Sequence, residues 1–328
     1  MKATAKAHTN IALIKYWGKR NEALILPTNS SLSITLDKFY TTTTVEFNKE
    51  QATDEFYLDG QQVNEKEQKK ITKFLDVIRK LAGKQEYAII HSINNVPTAA
   101  GFASSASGLA ALAAAATKAI GLAVDRRMLS QIARRGSGSA CRSIYGGYVE
   151  WQKGEKSDGT DSYAVPILDA KEWDLTVLSV MLESKPKKVL SREGMKRTVD
   201  TSVFYDGWLQ SVDNDLSIVK QALAVKDFEM LGTVVEKNAL KMHATTLGAD
   251  PPFLYWQSGT LEVMEEVASL RSNGIQAYFT IDAGPNVKVL CEPKDEQQVI
   301  AALNSLVAVR EIFVCHPGPG VTYVPTSS

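Results

Sequence analysis

Apolar and polar positions alternate with two different periods along this chain, and each change of period marks an element. Residues Ser31 to Tyr40 and Thr42 to Phe47, rich in Thr, Ile, Val and aromatics, predict two strands. Asp59-Gly60, set between Phe56-Tyr57-Leu58 and Val63, predicts a hairpin turn. The period then becomes helical. Asn64 is a good N-cap with Glu67 three residues on, as in a capping box, and Gly83 closes the far end. Ile71, Phe74, Leu75, Ile78, Leu81 and Ala82 share one face of that helix.

Tyr87 to Ile93 predicts a strand that runs into a Gly/Ala/Ser-rich loop and an Ala-rich helix. A second helix starts near Asp125, followed by a small-residue loop and a strand around Gly147 to Gln152. Gly154 to Thr160 is polar and turn-like, a surface loop. Leu175 to Leu182 is a strongly apolar strand, and the pattern is helical from about residue 185 to 272. Gln276 to Cys291 then predicts a loop-interrupted strand pair, Glu296 to Leu306 a helix, and Glu311 to Val324 a last strand with a Pro-Gly-Pro-Gly turn. Strands mixed with helices predict an α+β or α/β protein of two domains, 1–183 and 184–328, sharing a cleft.

Composition removes several classes of function. Lys plus Arg and Asp plus Glu number 37 each, so the overall balance points to neither nucleic acid nor an anionic membrane. The three cysteines, Cys141, Cys291 and Cys315, form no CxxC pair, as suits a reducing compartment. None of the four histidines stands three to five residues from another His or a Cys, which argues against a zinc site. The apolar run Ile11 to Ile14 is too short for a signal-peptide core, and the Ala-rich stretch 106–124, broken by Lys118, falls short of a membrane span. A soluble cytoplasmic protein is expected.

Four segments carry candidate chemistry. Residues 96–108, VPTAAGFASSASG, follow a strand and open a helix, whose N-terminal N–H groups and dipole favour phosphate. The Gly-Lys-[Ser/Thr] ending of a P-loop is missing, and a serine-capped turn reads equally well. Residues 134–143, RRGSGSACRS, ring a flexible run of N–H and hydroxyl groups with guanidinium groups that suit a diphosphate or a carboxylate. A solvated loop is the bland reading. In 8–19, HTNIALIKYWGK, Lys15 ends an apolar run, where a lysine is ordinarily just exposed, and Trp17 reads as core or pocket wall. In 280–288, TIDAGPNVK, a strand delivers Asp282 to a loop, the geometry of a general base or of an Asp stabilising its own turn. Taken together, two anion-binding loops, basic residues and a loop-borne acid describe an enzyme that holds two phosphorylated ligands.

The set HTNIALIKYWGK, PTNSSLS (27–33), VPTAAGFASSASG, RRGSGSACRSIYGGYVEW and DAGPN resembles the diphosphomevalonate decarboxylases, bacterial members above all, a branch of the GHMP kinase superfamily. The motifs run in the family's order from residue 8 to residue 286. The resemblance implies an N-terminal domain of the ribosomal-protein S5 type and a C-terminal ferredoxin-like α+β domain. It implies ATP and Mg²⁺ as cofactors, mevalonate 5-diphosphate as substrate, and a homodimer. The implied reaction phosphorylates the tertiary 3-hydroxyl, then expels phosphate and carbon dioxide to leave isopentenyl diphosphate.

By the same resemblance Asp282 is the catalytic aspartate, Lys15 a cation beside the reacting centre, Arg142 the holder of the substrate carboxylate, and Ser191 a serine that closes over the substrate. Substrate contacts fall on Tyr16, Trp17, Gly18, Lys19, Lys70, Ser137, Gly138, Ser139, Ala140 and Cys141. Nucleotide contacts fall on Pro97, Ala100, Gly101, Ala103, Ser104, Ser105 and Ser107, with Ser104 or Ser105 nearest the magnesium ion. The phosphate loop departs from the superfamily's Gly-x-Gly-Leu-Gly-Ser-Ser by its alanines, and no acidic metal ligand accompanies it. Two other readings are a plain kinase of the same fold, which has less use for an Arg142 carboxylate clamp, and a catalytically silent nucleotide-binding protein.

Overall fold

The computed structural model describes residues 1–95, 104–182 and 189–325, with the backbone alone for Ser104. Residue 183, the expected domain boundary, lies outside the described residues, but the strand Thr176–Leu182, expected in the first domain, pairs within the second lobe's sheet, so the change of sheet comes before Thr176. The first lobe runs β1 (Lys2–Ile14), a small hairpin of β2 (Lys19–Asn21) and β3 (Leu26–Pro27), β4 (Ser31–Asn48), β5 (Glu55–Leu58), β6 (Gln61–Gln62), α1 (Glu65–Ala82), β7 (Tyr87–Asn95), α2 (Ser104–Ile120), α3 (Arg126–Gly136), a 3₁₀ segment Gly138–Ile144, β8 (Tyr148–Trp151) and β9 (Ala164–Leu168). The second runs β10 (Thr176–Leu182), α4 (Ser191–Thr201), α5 (Tyr205–Val225), α6 (Phe228–Leu247), α7 (Ser258–Ser272), β11 (Ala277–Ile281), β12 (Val287–Cys291), α8 (Glu296–Asn304), β13 (Val309–Cys315) and β14 (Thr322–Val324).

The two strands expected over 31–47 are one. Residues 40 and 41 stay extended because β7 pairs without a break along β4 from Tyr40 to Asn48, while the β1 register shifts between His8 and Asn10. Asp59 and Gly60 both take positive φ and close the predicted hairpin. Asn64 caps α1 by accepting from the Glu67 N–H, and Gly83 takes the left-handed conformation at its end. Leu81, expected in the core, is instead exposed, and Arg79 takes a buried place. Its guanidinium donates to both oxygens of buried Asp54, at 2.9 Å each.

Alanines explain how α2 sits on the sheet. Ala110, Ala111 and Ala113 to Ala116 are buried in one cluster with Ala3, Ala5 and Ala7, and the absence of larger side chains lets α2 pack closely against β1 and β4.

In the second lobe β10 pairs between β12 and β13 in a four-stranded antiparallel sheet, with β11 outside β12. Both faces of β10 are covered, the reason its sequence reads as an unbroken apolar run. Leu178, Val180 and Leu182 join the cluster containing Val263 and Leu270 of α7 and Val299 of α8. Val177 and Met181 join a larger cluster containing α5, α6 and, from the first lobe, Ile11, Leu13, Ile14 and Leu32. The α5–α6 pair is thus a layer shared by both sheets.

The segment Glu311 to Val324, expected as one strand, is two. β13 ends at Cys315, and the Pro-Gly-Pro-Gly run carries the chain back to the first lobe, where Gly318 N–H donates to Thr35 O and β14 pairs with β1. No side chain fits at Gly318, where a Cβ would stand 2.4 Å from the Leu36 carbonyl carbon.

Candidate active site

A cavity of about 470 Å³ opens between the lobes, lined by Asn10, Lys15, Tyr16, Ser139, Arg142 and Asp282 among others. β1 ends at its floor. Lys15, the first residue past the strand, turns its ammonium inward to donate to Ala12 O at 2.9 Å and to Asp282 Oδ1 at 2.6 Å. Asp282 arrives from the other lobe, at the end of β11, where Pro285 and Gly284 bend the chain toward β12. The sequence alone leaves Lys15 exposed by default. In the fold it is 2% exposed and paired with a carboxylate 267 residues away.

Burial pushes the Asp282 carboxyl up, but Lys15, Lys288 and Arg142 outweigh it and hold it below the ordinary carboxylate range. Burial pulls the Lys15 ammonium down, and contact with Asp282 opposes that pull. Arg142 is buried, donating to Ser31 Oγ at 2.6 Å and Asn10 Oδ1 at 3.2 Å. Among the described residues no carboxylate stands within ion-pair distance of it, so a buried guanidinium faces the cleft with its charge unmatched by direct contact, and an anionic ligand would match it.

Tyr16, Trp17, Lys19, Lys70, Ser137, Gly138, Ser139, Ser191 and Ser105 all line this cavity. Trp17 is also core, donating its indole N–H to Thr198 Oγ1 at 2.7 Å. Gly18 has φ of +119°, and a Cβ there would overlap the Tyr205 hydroxyl, so its part is to let the chain turn. Gly138 is likewise confined, with Trp151 and Tyr16 each within 2.9 Å of a Cβ position.

Three of the expected residues face away from the cleft. Ala140 and Cys141, within the 3₁₀ segment, are fully buried, and burial pushes the Cys141 thiol up to about 12, which keeps it protonated and unreactive. The Ser107 hydroxyl is fully buried and engages Thr41 Oγ1 at 2.8 Å inside the sheet. Pro97, Ala100, Gly101 and Ala103 lie outside the described residues, as does the Ser104 side chain.

A second cavity, about 430 Å³, adjoins the first and shares Ile25, Lys70, Ser105, Ser137 and Arg192 with it. Phe56, Ile71, Phe74, Val77, Leu109 and Leu112 make its walls apolar, and Ser92 and Asn94 add polar groups. Among the described residues no three His, Cys, Asp or Glu side chains converge to hold a metal. A magnesium ion here would be held chiefly by nucleotide phosphates and water, with the Ser105 hydroxyl at the start of α2 available to it.

Several site residues carry no role in the sequence reading. Asn10 donates to Ser139 O at 3.0 Å and Ser143 Oγ at 2.8 Å, tying β1 to the 3₁₀ segment, and it lies inside the HTNIALIKYWGK motif. Ser31, partner of Arg142, lies in PTNSSLS. Lys288 closes the DAGPNVK run on β12, and Arg192 follows Ser191 on α4. For Asn10, Ser31 and Lys288 a place in a quoted segment was the only signal, and for Arg192 its place directly after Ser191.

Two cavities that share a basic, hydroxyl-lined border at the start of α2 describe a two-lobed enzyme built to hold two small anionic ligands side by side. Residues 7–164 match the diphosphomevalonate decarboxylase-like N-terminal domain, and residues 177–316 the mevalonate 5-diphosphate decarboxylase C-terminal domain. This chain belongs to the diphosphomevalonate decarboxylase family. It is 38% identical to the diphosphomevalonate decarboxylase of Rattus norvegicus, covering 92% of this chain and 79% of that one. Among solved structures, mevalonate diphosphate decarboxylase from Staphylococcus aureus superposes with a TM-score of 0.95 at 48% identity, over 99% of this chain and 98% of that one. MDDEF in complex with MVAPP, AMPPCP and magnesium gives 0.94 at 50% identity, over 99% of both chains.

Proposed function

We propose that this enzyme converts mevalonate 5-diphosphate and ATP to isopentenyl diphosphate, ADP, phosphate and carbon dioxide, with the cavity lined by Lys15 and Asp282 holding the diphosphomevalonate and its neighbour the nucleotide. Family membership supports the reaction. The observation that supports the roles is the meeting of Lys15, Asp282 and Arg142 in one cleft.

The chemistry follows from that meeting. Asp282, kept ionised by Lys15, accepts the proton of the 3-hydroxyl as its oxygen takes the γ-phosphoryl group. Hydroxide leaves carbon badly and phosphate leaves well, so the transfer prepares the second step. The C3–O bond breaks, positive charge develops at C3, and the electrons of the bond between C2 and the carboxylate form the C2–C3 double bond as carbon dioxide departs. Arg142 grips that carboxylate, and its charge and the polar cleft hold the substrate in the geometry the elimination needs. Ser137, Ser139, Tyr16 and Lys19 bind the diphosphate, whose remote binding energy orients the reacting centre. Ser191 and Arg192, on the first turn of α4, cover the substrate. Ser105 and Lys70, at the border of the two cavities, meet the nucleotide phosphates. Bound magnesium would neutralise charge on those phosphates. The same reading makes the protein a cytoplasmic homodimer, for which family resemblance is the support; no helix among the described residues is long and apolar enough to cross a membrane.

The test incubates purified protein with ATP, magnesium and mevalonate 5-diphosphate and follows ADP and carbon dioxide together. Equal yields are expected, and Asp282→Ala should abolish both while substrate affinity stays within about tenfold. ADP without carbon dioxide would make the protein a kinase, and near-normal turnover in Asp282→Ala would remove the base from Asp282.

A further inference from the structure

Lys15 and Asp282 come from different lobes, yet their contact is held to 2.6 Å, and the side chains that hold it belong to one helix. On α6, Asn238 is fully buried, and its Oδ1 accepts the Lys15 backbone N–H at 2.9 Å. The other end of that amide donates Nδ2–H to Asp215 Oδ2 on α5 at 2.8 Å. A carboxylate only accepts, so Asp215 forces the amide's NH₂ toward itself and leaves the oxygen to face Lys15. Lys241 in turn pairs with Asp215 Oδ2 at 2.6 Å. The Lys15 carbonyl, part of the next peptide group, accepts from Asn29 Nδ2 at 2.8 Å, so both peptide groups that flank the Lys15 Cα are held. Later on α6, His243 is also fully buried, and its Nε2 meets Ile281 O, the carbonyl next to Asp282, at 3.2 Å. Its ring is packed by Trp256 and Tyr255.

We propose that Asn238, oriented by Asp215, is a positioning residue for the reaction: it is the cross-lobe clasp that sets Lys15 against Asp282, while His243 steadies Asp282 from the same helix. None of the three touches the substrate cavity. A hydrophobic contact between the lobes would leave Lys15 free to slide along the helix surface. A hydrogen bond to its peptide fixes direction as well as distance. Because α6 fixes both partners, a shift of one lobe relative to the other must break a buried hydrogen bond before the pair separates, which leaves a buried polar group unsatisfied.

This inference rests on the roles given above to Lys15 and Asp282, and its test separates the two. Asn238→Asp keeps an acceptor for the Lys15 N–H but turns a second carboxylate toward Asp215. The reciprocal double variant Asn238→Asp/Asp215→Asn restores the bond with donor and acceptor exchanged. Steady-state kinetics, substrate binding by calorimetry and thermal midpoints are compared with native protein, both single variants and Asp282→Ala. Asn238→Asp should lose about tenfold or more in kcat with KM for both substrates within about threefold, the mark of misplacement rather than lost binding. The double variant should recover to within about threefold of native, a coupling that loss of general stability does not produce. If Asn238→Asp does not fold, Asn238→Ser, too short to reach both partners, takes its place with the same expected loss in kcat. A native kcat in the folded single variant, or no recovery in the double, overturns the inference while an inactive Asp282→Ala leaves the site reading intact. An active Asp282→Ala overturns both.

Discussion

At the scale of single residues, the site works by burying charge beside charge. Asp282 keeps its proton off because three cations face it, even though burial alone would favour the neutral acid. His243 shows the opposite outcome one layer out. Burial drops its pKa from the usual 6.5 to about 4, with the Ile281 carbonyl opposing only part of the shift. The unfolded chain therefore takes up a proton on this ring below about 6.5 while the folded protein does not, and stability must fall as pH is lowered from there toward 4. Urea midpoints between pH 6.5 and 4.5 should drop more steeply for the native protein than for His243→Gln, whose amide still donates but does not titrate. Equal slopes would mean that the ring is charged or solvated. His8, also lowered by burial, leaves a residual slope of the same sign in both proteins.

At the scale of elements, α1 separates what a helical pattern can predict from what it cannot. Its start, end and four core positions were legible, because a cap and an apolar stripe are local properties of a helix. Leu81 was misplaced because the stripe runs on past the elements that cover it, chiefly α2 and α3, and periodicity does not record where the cover stops. Arg79 was missed because a buried arginine needs its acid, and Asp54 is separated from it by a hairpin. The two kinds of feature differ in weight. Asn64→Ala should cost about 1 kcal/mol, the usual worth of an N-cap. Arg79→Met leaves Asp54 fully buried with no cation and should cost about 3–5 kcal/mol. Chemical denaturation of both variants checks the ordering, and a reversed order would show that water reaches Asp54.

For the whole molecule, the cleft exists only where both lobes contribute. Arg142 and Ser139 come from the 3₁₀ segment, Asp282 and Lys288 from the second sheet, and Ser191 from α4, while β14 threads back to finish the first sheet. A ligand that touches all of these stabilises the assembled lobes by an amount that grows with the logarithm of its concentration over Kd. Diphosphomevalonate at a hundredfold excess over its Kd should add about 2.7 kcal/mol, seen as a rise in Tm. At the same concentration the rise should shrink clearly in Arg142→Lys, because a point charge lacks the two-pronged grip on a carboxylate. An unchanged rise would place the carboxylate elsewhere in the cleft.

The sequence by itself determined the local and the chemical. It was enough for many of the strands and helices, though not for β1, β9 or the breaks within 31–47 and 311–324, and for the N-cap and hairpin signals, the small-residue loops and the family motifs that contain Lys15, Arg142 and Asp282. Those are legible because hydrogen-bond period, turn conformation and residue type act within a few positions of one another. Tertiary structure alone decided which of the motif residues face ligand. Ser107, Ala140 and Cys141 sit inside the motifs yet point into the core, since a helical turn packed on the rest of the lobe must bury one of its faces. It alone decided that the lysine after β1 is buried and paired across the lobes, and that Asn238, which belongs to no motif, bonds its backbone N–H from more than two hundred residues away. Such partners meet through folding over more than two hundred residues, and no periodicity along the chain reports a hydrogen bond made across that distance.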